Sequence, residues 1–285
     1  MMLVPGLVLL AIFHYTPMYG VIIAFQNYNP GLGFSDSPWV GLKNFEFLFN
    51  LPTFKFLIRN TLVLATSKIV TLQICAVILA LLLNEIRSIQ FKRVINIILY
   101  LPYFLSWVVL GGILLDILSS NGLVGQALKR IDVQSFMFLG RAQMFPFTIV
   151  VTNLWKEVGF AVIIYLAALT GIDPSLTEAA AVDGASRLQR IWHITLPGIL
   201  PTIILIACLN LGYVLDGGFD QVVNLYHPGV YATGDILDTY VYRSGIISAR
   251  YSMAGAVGLF KAIIGLVMVI ISYRLANKVA GYKIF

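Results

Sequence analysis

Charge is what this 285-residue sequence has least of: 19 basic and 13 acidic residues make up 11% of it, where a soluble domain carries about 25%. With 59% apolar residues and a mean hydropathy of +0.88, that scarcity excludes an ordinary cytosolic globule and a disordered chain, because neither could solvate so much apolar surface. Runs of basic residues are missing too. The net charge of +6 is spread through short loops, which excludes a nucleic-acid-binding patch. Cysteine is nearly absent, and Cys75 and Cys208 both lie in apolar stretches where a thiol behaves as a small hydrophobe. The three histidines, His14, His193 and His227, have no metal-ligand spacing, and neither HExxH nor a Gly-x-Ser-x-Gly elbow occurs, so neither metal nor hydrolytic chemistry is expected. There is no Gly-Lys dipeptide and hence no phosphate-cradling loop, so any nucleotide is expected on another polypeptide.

What the chain does have is apolar length. Runs at about 2–26, 61–84, 94–118, 144–171, 197–215 and 253–273 are each long enough to cross a hydrocarbon core of about 30 Å at about 1.5 Å per residue. The expected fold is an all-α integral membrane protein of six transmembrane helices in a single permease domain over 1–285. The opening Met1-Met2-Leu3-Val4-Pro5 lacks both a basic lead and a small-residue cleavage site, and its apolar run continues to Phe25, as a first span does and a signal peptide does not. Eight Lys and Arg fall on each side of the membrane, but those of the short 85–93 loop, the 24-residue 172–195 segment and the short tail are the more concentrated. The positive-inside rule therefore places the termini and the 172–195 segment in the cytoplasm.

The 173–197 segment is the most informative. Asp173 followed by Pro174 is an N-cap with proline at the first helical position, so a short helix starts there and stops at Gly184. A second short helix can carry Leu188, Ile191 and Trp192 on one face, with Pro197 opening the next span. The expected product is a helix-turn-helix on the cytoplasmic face that wants a protein partner. As a bare amphipathic hairpin it would only brace its own protein.

The spacing Glu-Ala-Ala-x-x-Asp-Gly-Ala followed by Ile-x-Leu-Pro is more specific. Glu178, Ala179, Ala180, Asp183, Gly184, Ala185, Ile194, Leu196 and Pro197 together resemble the cytoplasmic coupling loop of binding-protein-dependent ABC importer permeases. The resemblance extends over nearly the whole chain to the maltose-type carbohydrate-uptake class, and to its LplB-like branch. Trp39-Val40-Gly41-Leu42-Lys43-Asn44-Phe45, the Leu101-Pro102-Tyr103 turn and the stretch from Phe219-Asp220-Gln221 to Tyr242-Arg243 fit that pattern. The basic cytoplasmic lead usual before the first span is the departure from it. The resemblance implies a type I importer permease in the bacterial cytoplasmic (inner) membrane. It implies a second, homologous permease subunit, two ATPase subunits that bind ATP and Mg, and an extracellular or periplasmic solute-binding protein that delivers a sugar. It also implies that Glu178 and Asp183 make polar contacts in the ATPase groove, that Ala179 and Ala180 allow close approach, and that Gly184 keeps a side chain out of the turn.

For the sugar path, ionisable residues inside spans are the first guide, since each costs about 2.5–3.5 kcal/mol to insert. Lys156 and Glu157 fall near the middle of the fourth run; adjacent on a helix, they point about 100° apart and are not expected to pair flat. Lys68, Asp116 and Lys261 lie nearer span ends, where long side chains reach the interface. The third run offers Tyr103, Ser106 and Trp107, the fourth adds Asn153, Trp155 and Phe160, and the fifth adds Asn210, Tyr213 and Asp216 at i, i+3, i+6. Aromatic faces stack on sugar rings while amides and carboxylates bind hydroxyls. An ion-coupled secondary transporter is the alternative. It would explain Lys156 and Glu157, but it would show repeated halves and broken helices and would leave 173–197 unexplained.

Overall fold

The computed structural model describes residues 3–119, 121–130 and 138–280. Met2 of the first run and Lys283 of the tail lie outside the described residues. Among the described residues, six helices are long and apolar enough to cross a membrane: Val4–Phe25, Phe54–Asn84, Trp107–Ala127, Phe145–Leu169, Arg187–Leu211 and Tyr251–Arg274. Helices are the expected solution, because lipid offers no partner for backbone N–H and C=O groups and a helix satisfies them internally.

The second span begins at Phe54, two turns earlier than the hydropathy of 61–84 implies. It has neither Pro nor Gly in 31 residues, so nothing interrupts it. It packs along the fourth span, Phe145–Leu169, with Ala76, Ala80 and Leu83 against Val158, Val162 and Tyr165. Small residues let the backbones approach, which in lipid is the main source of packing energy. The fourth span meets the third as closely: a Cβ on Gly159 would lie 2.1 Å from the Leu99 carbonyl oxygen.

Three of the expected runs are interrupted helices. The third is Ile89–Tyr100, a 3-10 turn over Leu101–Phe104 containing the buried Pro102, and then Trp107–Leu118. The first changes from α to a π turn at Ala11–Tyr15 and ends in a 3-10 stretch, Tyr19–Phe25. The fifth starts at Arg187 and passes through a π turn at Ile191–Thr195 before continuing as Leu196–Leu211. Pro197 therefore sits inside a continuous helix and does not open it, and the expected cytoplasmic helix-turn-helix is a single short helix followed by an extension of the fifth span.

The fifth helix ends at Leu211, and residues 212–218 run as turns to a short helix, Phe219–Leu225. Irregular backbone of this kind needs polar partners within the protein. Lys68 supplies one, its Nζ donating to the Gly217 carbonyl at 2.7 Å. Gln221 ties the short helix to the fourth span, its Nε2 donating to the Ile149 carbonyl and to Thr152 Oγ1, each at 2.8 Å. Nearer the start of the second span, Asn60 donates to the Ala232 and Asp235 carbonyls, and Thr61 Oγ1 accepts from the Leu237 N–H. Leu57, Leu48, Leu237 and Val257 close an apolar cluster there.

Candidate functional site

Asp173 caps the helix Pro174–Val182, its Oδ1 accepting from the Ser175 N–H at 2.9 Å. That hydrogen bond holds the Asp173 carboxyl below its ordinary value, because the N–H favours the charged form. The far end is a Schellman turn. Ala185 N–H reaches the Ala180 carbonyl at 2.9 Å and Gly184 N–H reaches Ala181 at 3.2 Å, with Gly184 at φ +81 in the left-handed region. Within the chain, then, Gly184 is required for its backbone conformation; a Cβ there would meet nothing within 4 Å. The next element is closed by a capping box between Ser186 and Gln189.

No residue of the Pro174–Val182 helix is buried. Glu178, Ala179, Asp183 and Gly184 are exposed, Val182 is 88% exposed, and Leu188 and Trp192 also face outward. Ala180 and Ala185 line a shallow hollow with Gln189, Arg190, His193 and Ile194. Leu196 is half-buried and Pro197 exposed. Glu178, Ala179, Asp183, Gly184 and Pro197 are thus open, while Ala180, Ala185 and Leu196 are partly covered by the chain itself.

A second grouping lies between the third and fourth spans. Lys156 is buried; its Nζ donates to the Tyr103 carbonyl at 3.1 Å and lies 5.0 Å and 5.5 Å from the Tyr103 and Trp107 ring centres. Tyr103 stacks on Phe160 at 4.6 Å with the rings 8° from parallel. Glu157 pairs with Lys156 at 3.2 Å, contrary to the expectation from their 100° separation. Side chains of that length bend across the gap that the backbone directions open. Five expected path residues are therefore linked, Trp107, Glu157 and Tyr103 each to Lys156 and Phe160 to Tyr103. Ser106 is spent on capping the Trp107–Leu118 helix, its Oγ accepting from the Val109 N–H. Asn153 is half-buried and Trp155 is 49% exposed.

The fifth-span trio does not assemble. Asn210 is within the helix, while Tyr213 and Asp216 follow its end and go to different clefts, Tyr213 with Val269 and Tyr273, Asp216 with Phe219 and Lys261. Helical spacing cannot apply beyond Leu211. The expected depths change as well. Lys68 is 14 residues from Phe54 and 16 from Asn84, so it is as central as Lys156 and not near a span end. Lys261 is 10 residues into Tyr251–Arg274 and pairs with Asp238 at 2.7 Å. Asp116 is exposed close to the end of its helix. Residue spacing gave no signal for the Lys68–Gly217 contact, although the Gly217-Gly218 pair marked a break.

The family model of binding-protein-dependent transport system inner membrane components matches residues 74–281. The chain belongs to that family. It is 40% identical over 279 residues to the polygalacturonan/rhamnogalacturonan transport system permease protein YteP of Bacillus subtilis (strain 168), covering 98% of this chain and 87% of YteP. It is 41% identical to protein LplB of the same organism, over 98% of this chain and 88% of LplB. Among solved structures, a bacterial ABC transporter involved in the import of the acidic polysaccharide alginate matches with a TM-score of 0.90 at 38% identity, over 98% of this chain and 94% of that one. The chain is thus a multi-pass inner-membrane permease component of an ABC importer with the type I fold. A permease component of an ABC importer is not an ion-coupled carrier, so the interrupted helices lend that alternative no weight.

Proposed function

We propose that the chain is the permease subunit of an ATP-driven importer that takes a sugar, in oligosaccharide form, from an extracellular binding protein and passes it to the cytoplasm. A permease relative named for polygalacturonan/rhamnogalacturonan transport and a structural neighbour involved in the import of alginate support a carbohydrate cargo. A related solved structure is of the alginate transporter in complex with its pentasaccharide-bound periplasmic protein, which supports delivery by a binding protein. The chain works beside a second, homologous permease and two ATPase subunits, which hold ATP and Mg; it has no nucleotide site of its own. Both termini and the Pro174–Val182 helix face the cytoplasm.

The observation that carries the coupling role is a capped, Schellman-closed helix with none of its residues buried. A helix of nine residues is too short to persist on its own propensity and gains its stability by packing. The packing it lacks here is supplied by the ATPase groove, with Glu178 and Asp183 at its polar edge. Because its following arm is continuous with Arg187–Leu211, movement of the hairpin is transmitted along one helix to the 212–218 turn. The Tyr103, Trp107, Lys156, Glu157 and Phe160 cluster lines the path.

Co-expression of the tagged chain with the genes beside it tests the reading. The expected result is co-purification of a second permease and an ATPase, with ATP hydrolysis stimulated by the sugar-loaded binding protein. A transporting homodimer without ATPase would overturn it.

A further inference from the structure

The first half of the second span presents a face that the described chain leaves open. Lys55, Phe56, Arg59, Val63, Thr66 and Val70 are all exposed, at the three- and four-residue intervals that mark one side of a helix. Lys68 comes nine residues after Arg59, so at about 100° per residue it points about 180° away, and its burial on the Gly217 carbonyl marks the protein side. Beside Phe56 opens a cleft of 350 Å3 whose walls include Thr53, Tyr231, Tyr240 and the Asp235–Arg243 pair. We propose that this corner binds an anionic phospholipid, with the phosphate between Lys55, Arg59 and the cleft at Arg243 and an acyl chain along Val63 and Val70. The site needs only the membrane-spanning fold; that its leaflet is the outer one rests on the orientation proposed above.

Charge decides the occupant. Lys55 and Arg59 have no ion-pair partner among the described residues. The acids on the elements packed against this end of the span are engaged: Asp235 pairs with Arg243, Asp238 pairs with Lys261, and Glu46 shares its helix face with Lys43 three residues before it. The Asp235–Arg243 pair is neutral as a unit, so the net positive charge of the corner is that of Lys55 and Arg59. Asp235 takes two of the five N–H donors of Arg243 and Tyr226 a third, which leaves the guanidinium, 4.4 Å over the Tyr231 ring, with donors to spare in the cleft. Cations at the head of an apolar stripe lay their stems on hydrocarbon and reach the headgroups with their charge. Thr66, the one hydroxyl on the stripe below them, spends its proton on the Leu62 carbonyl, so nothing there needs water. Half of a hydrocarbon core of about 30 Å is about ten residues of helix, so a chain anchored at Arg59 runs past Val63 to Val70. A subunit facing the path would meet the Lys68 side of this helix instead.

The test is photolabelling of the co-purified full complex in nanodiscs, with a trace of phosphatidylglycerol or of phosphatidylcholine carrying the same diazirine tail, and peptide mass spectrometry to map the adducts. Adducts are expected within residues 56–70. At about fivefold for each exposed basic residue, Lys55 and Arg59 together should favour phosphatidylglycerol by about twenty- to thirtyfold at low salt. Raising the salt should cut that preference severalfold in the wild type, a reading that needs no variant. Lys55→Gln combined with Arg59→Gln should bring the two yields level, and Lys55→Arg combined with Arg59→Lys should keep the preference; neither side chain has a partner to lose, so both variants should accumulate normally. Equal labelling by the two lipids in the wild type, a preference indifferent to salt or unchanged in the glutamine variant, or no adduct on this stretch with either lipid, as a covering protein subunit would give, would each overturn the site. ATP hydrolysis stimulated by the sugar-loaded binding protein reports on the permease reading separately, since either result can fail while the other holds.

Discussion

Replacing Lys68 by Met tests how the broken fifth span is held. Lys68 is 7% exposed, and its ammonium donates to the Gly217 carbonyl at 2.7 Å and is attracted by the Asp216 and Glu157 carboxylates. Methionine keeps most of the stem and removes the donor, leaving a buried carbonyl unsatisfied at a cost of about 1–3 kcal/mol. Gly218 supplies the second arm of a double-mutant cycle. It sits at φ +81, and a Cβ added there would lie 2.5 Å from Lys68 Nζ but 3.9 Å from Cε. Gly218→Ala therefore incurs a left-handed backbone penalty of about 1–2 kcal/mol and, in addition, displaces the ammonium. Methionine ends one atom sooner, so Lys68→Met removes the steric part and the double variant should be less destabilised than the sum, by about 0.5–3 kcal/mol. Thermal denaturation of the assembled complex in detergent reads this, with sugar uptake measured at matched abundance. Additive losses, or a Lys68→Met complex as stable and active as wild type, would refute the strut.

Lys156→Met should cost less stability than Lys68→Met, because the two acceptors it abandons, the carbonyl of the half-buried Tyr103 and the 28% exposed Glu157 side chain, can be rehydrated where the buried Gly217 carbonyl cannot; the same thermal assay reads it, and equal or larger losses would reverse the ranking. Uptake at equal abundance should nevertheless fall in Lys156→Met and Glu157→Gln, and normal uptake in both would remove them from the path. Gly184→Asn tolerates the left-handed turn while adding a side chain, so it should reach the membrane at normal level yet lose ATPase pull-down; Gly184→Asp should behave likewise, and retained pull-down in both would leave Gly184 a purely local requirement. The Asp173 cap is present above the ordinary carboxyl value of 3.8 and is lost only as pH falls through the lower folded value. Hydrogen exchange at the Ser175 amide should therefore show constant protection from pH 5 to 8 after correction for intrinsic rates, and a loss of protection within that window would contradict the cap.

Composition alone made the membrane class legible, because nothing but lipid solvates so apolar a chain, and the Asp173-Pro174 start and Gly184 stop were readable from local rules that hold in any context. Other features depended on where helices end. Lys55 and Arg59 lowered the hydropathy at the start of the second span, yet both are exposed on its first turns, where their heads reach away from the apolar core. Moving that start from 61 to Phe54 is what carries Lys68 from a span end to the helix centre. Asn210, Tyr213 and Asp216 were joined by a helical period that stops at Leu211, and Gly212 with Gly217-Gly218 was the available warning. The Lys156–Glu157 contact depends on side-chain reach, which backbone angle does not capture.

Pro197 shows why a reliable local rule gives a different outcome in lipid. In water a proline after a polar segment is an ordinary first helical residue, since the carbonyls left free before it are hydrated. Here the helix runs through it. Leu196 N–H bonds back five residues to the Ile191 carbonyl, opening a π turn that makes room for the ring of Pro197. Pro17 repeats the arrangement at the same offset, with Thr16 N–H bonded to the Ala11 carbonyl. A single π turn of this kind spares most of the backbone hydrogen bonds that a break would expose, and in a medium without water each of those would cost several kcal/mol. The consequence is mechanical: with the helix continuous from Arg187 to Leu211, about 37 Å at about 1.5 Å per residue, the capped hairpin and the glycine turn held by Lys68 lie at the two ends of one helix.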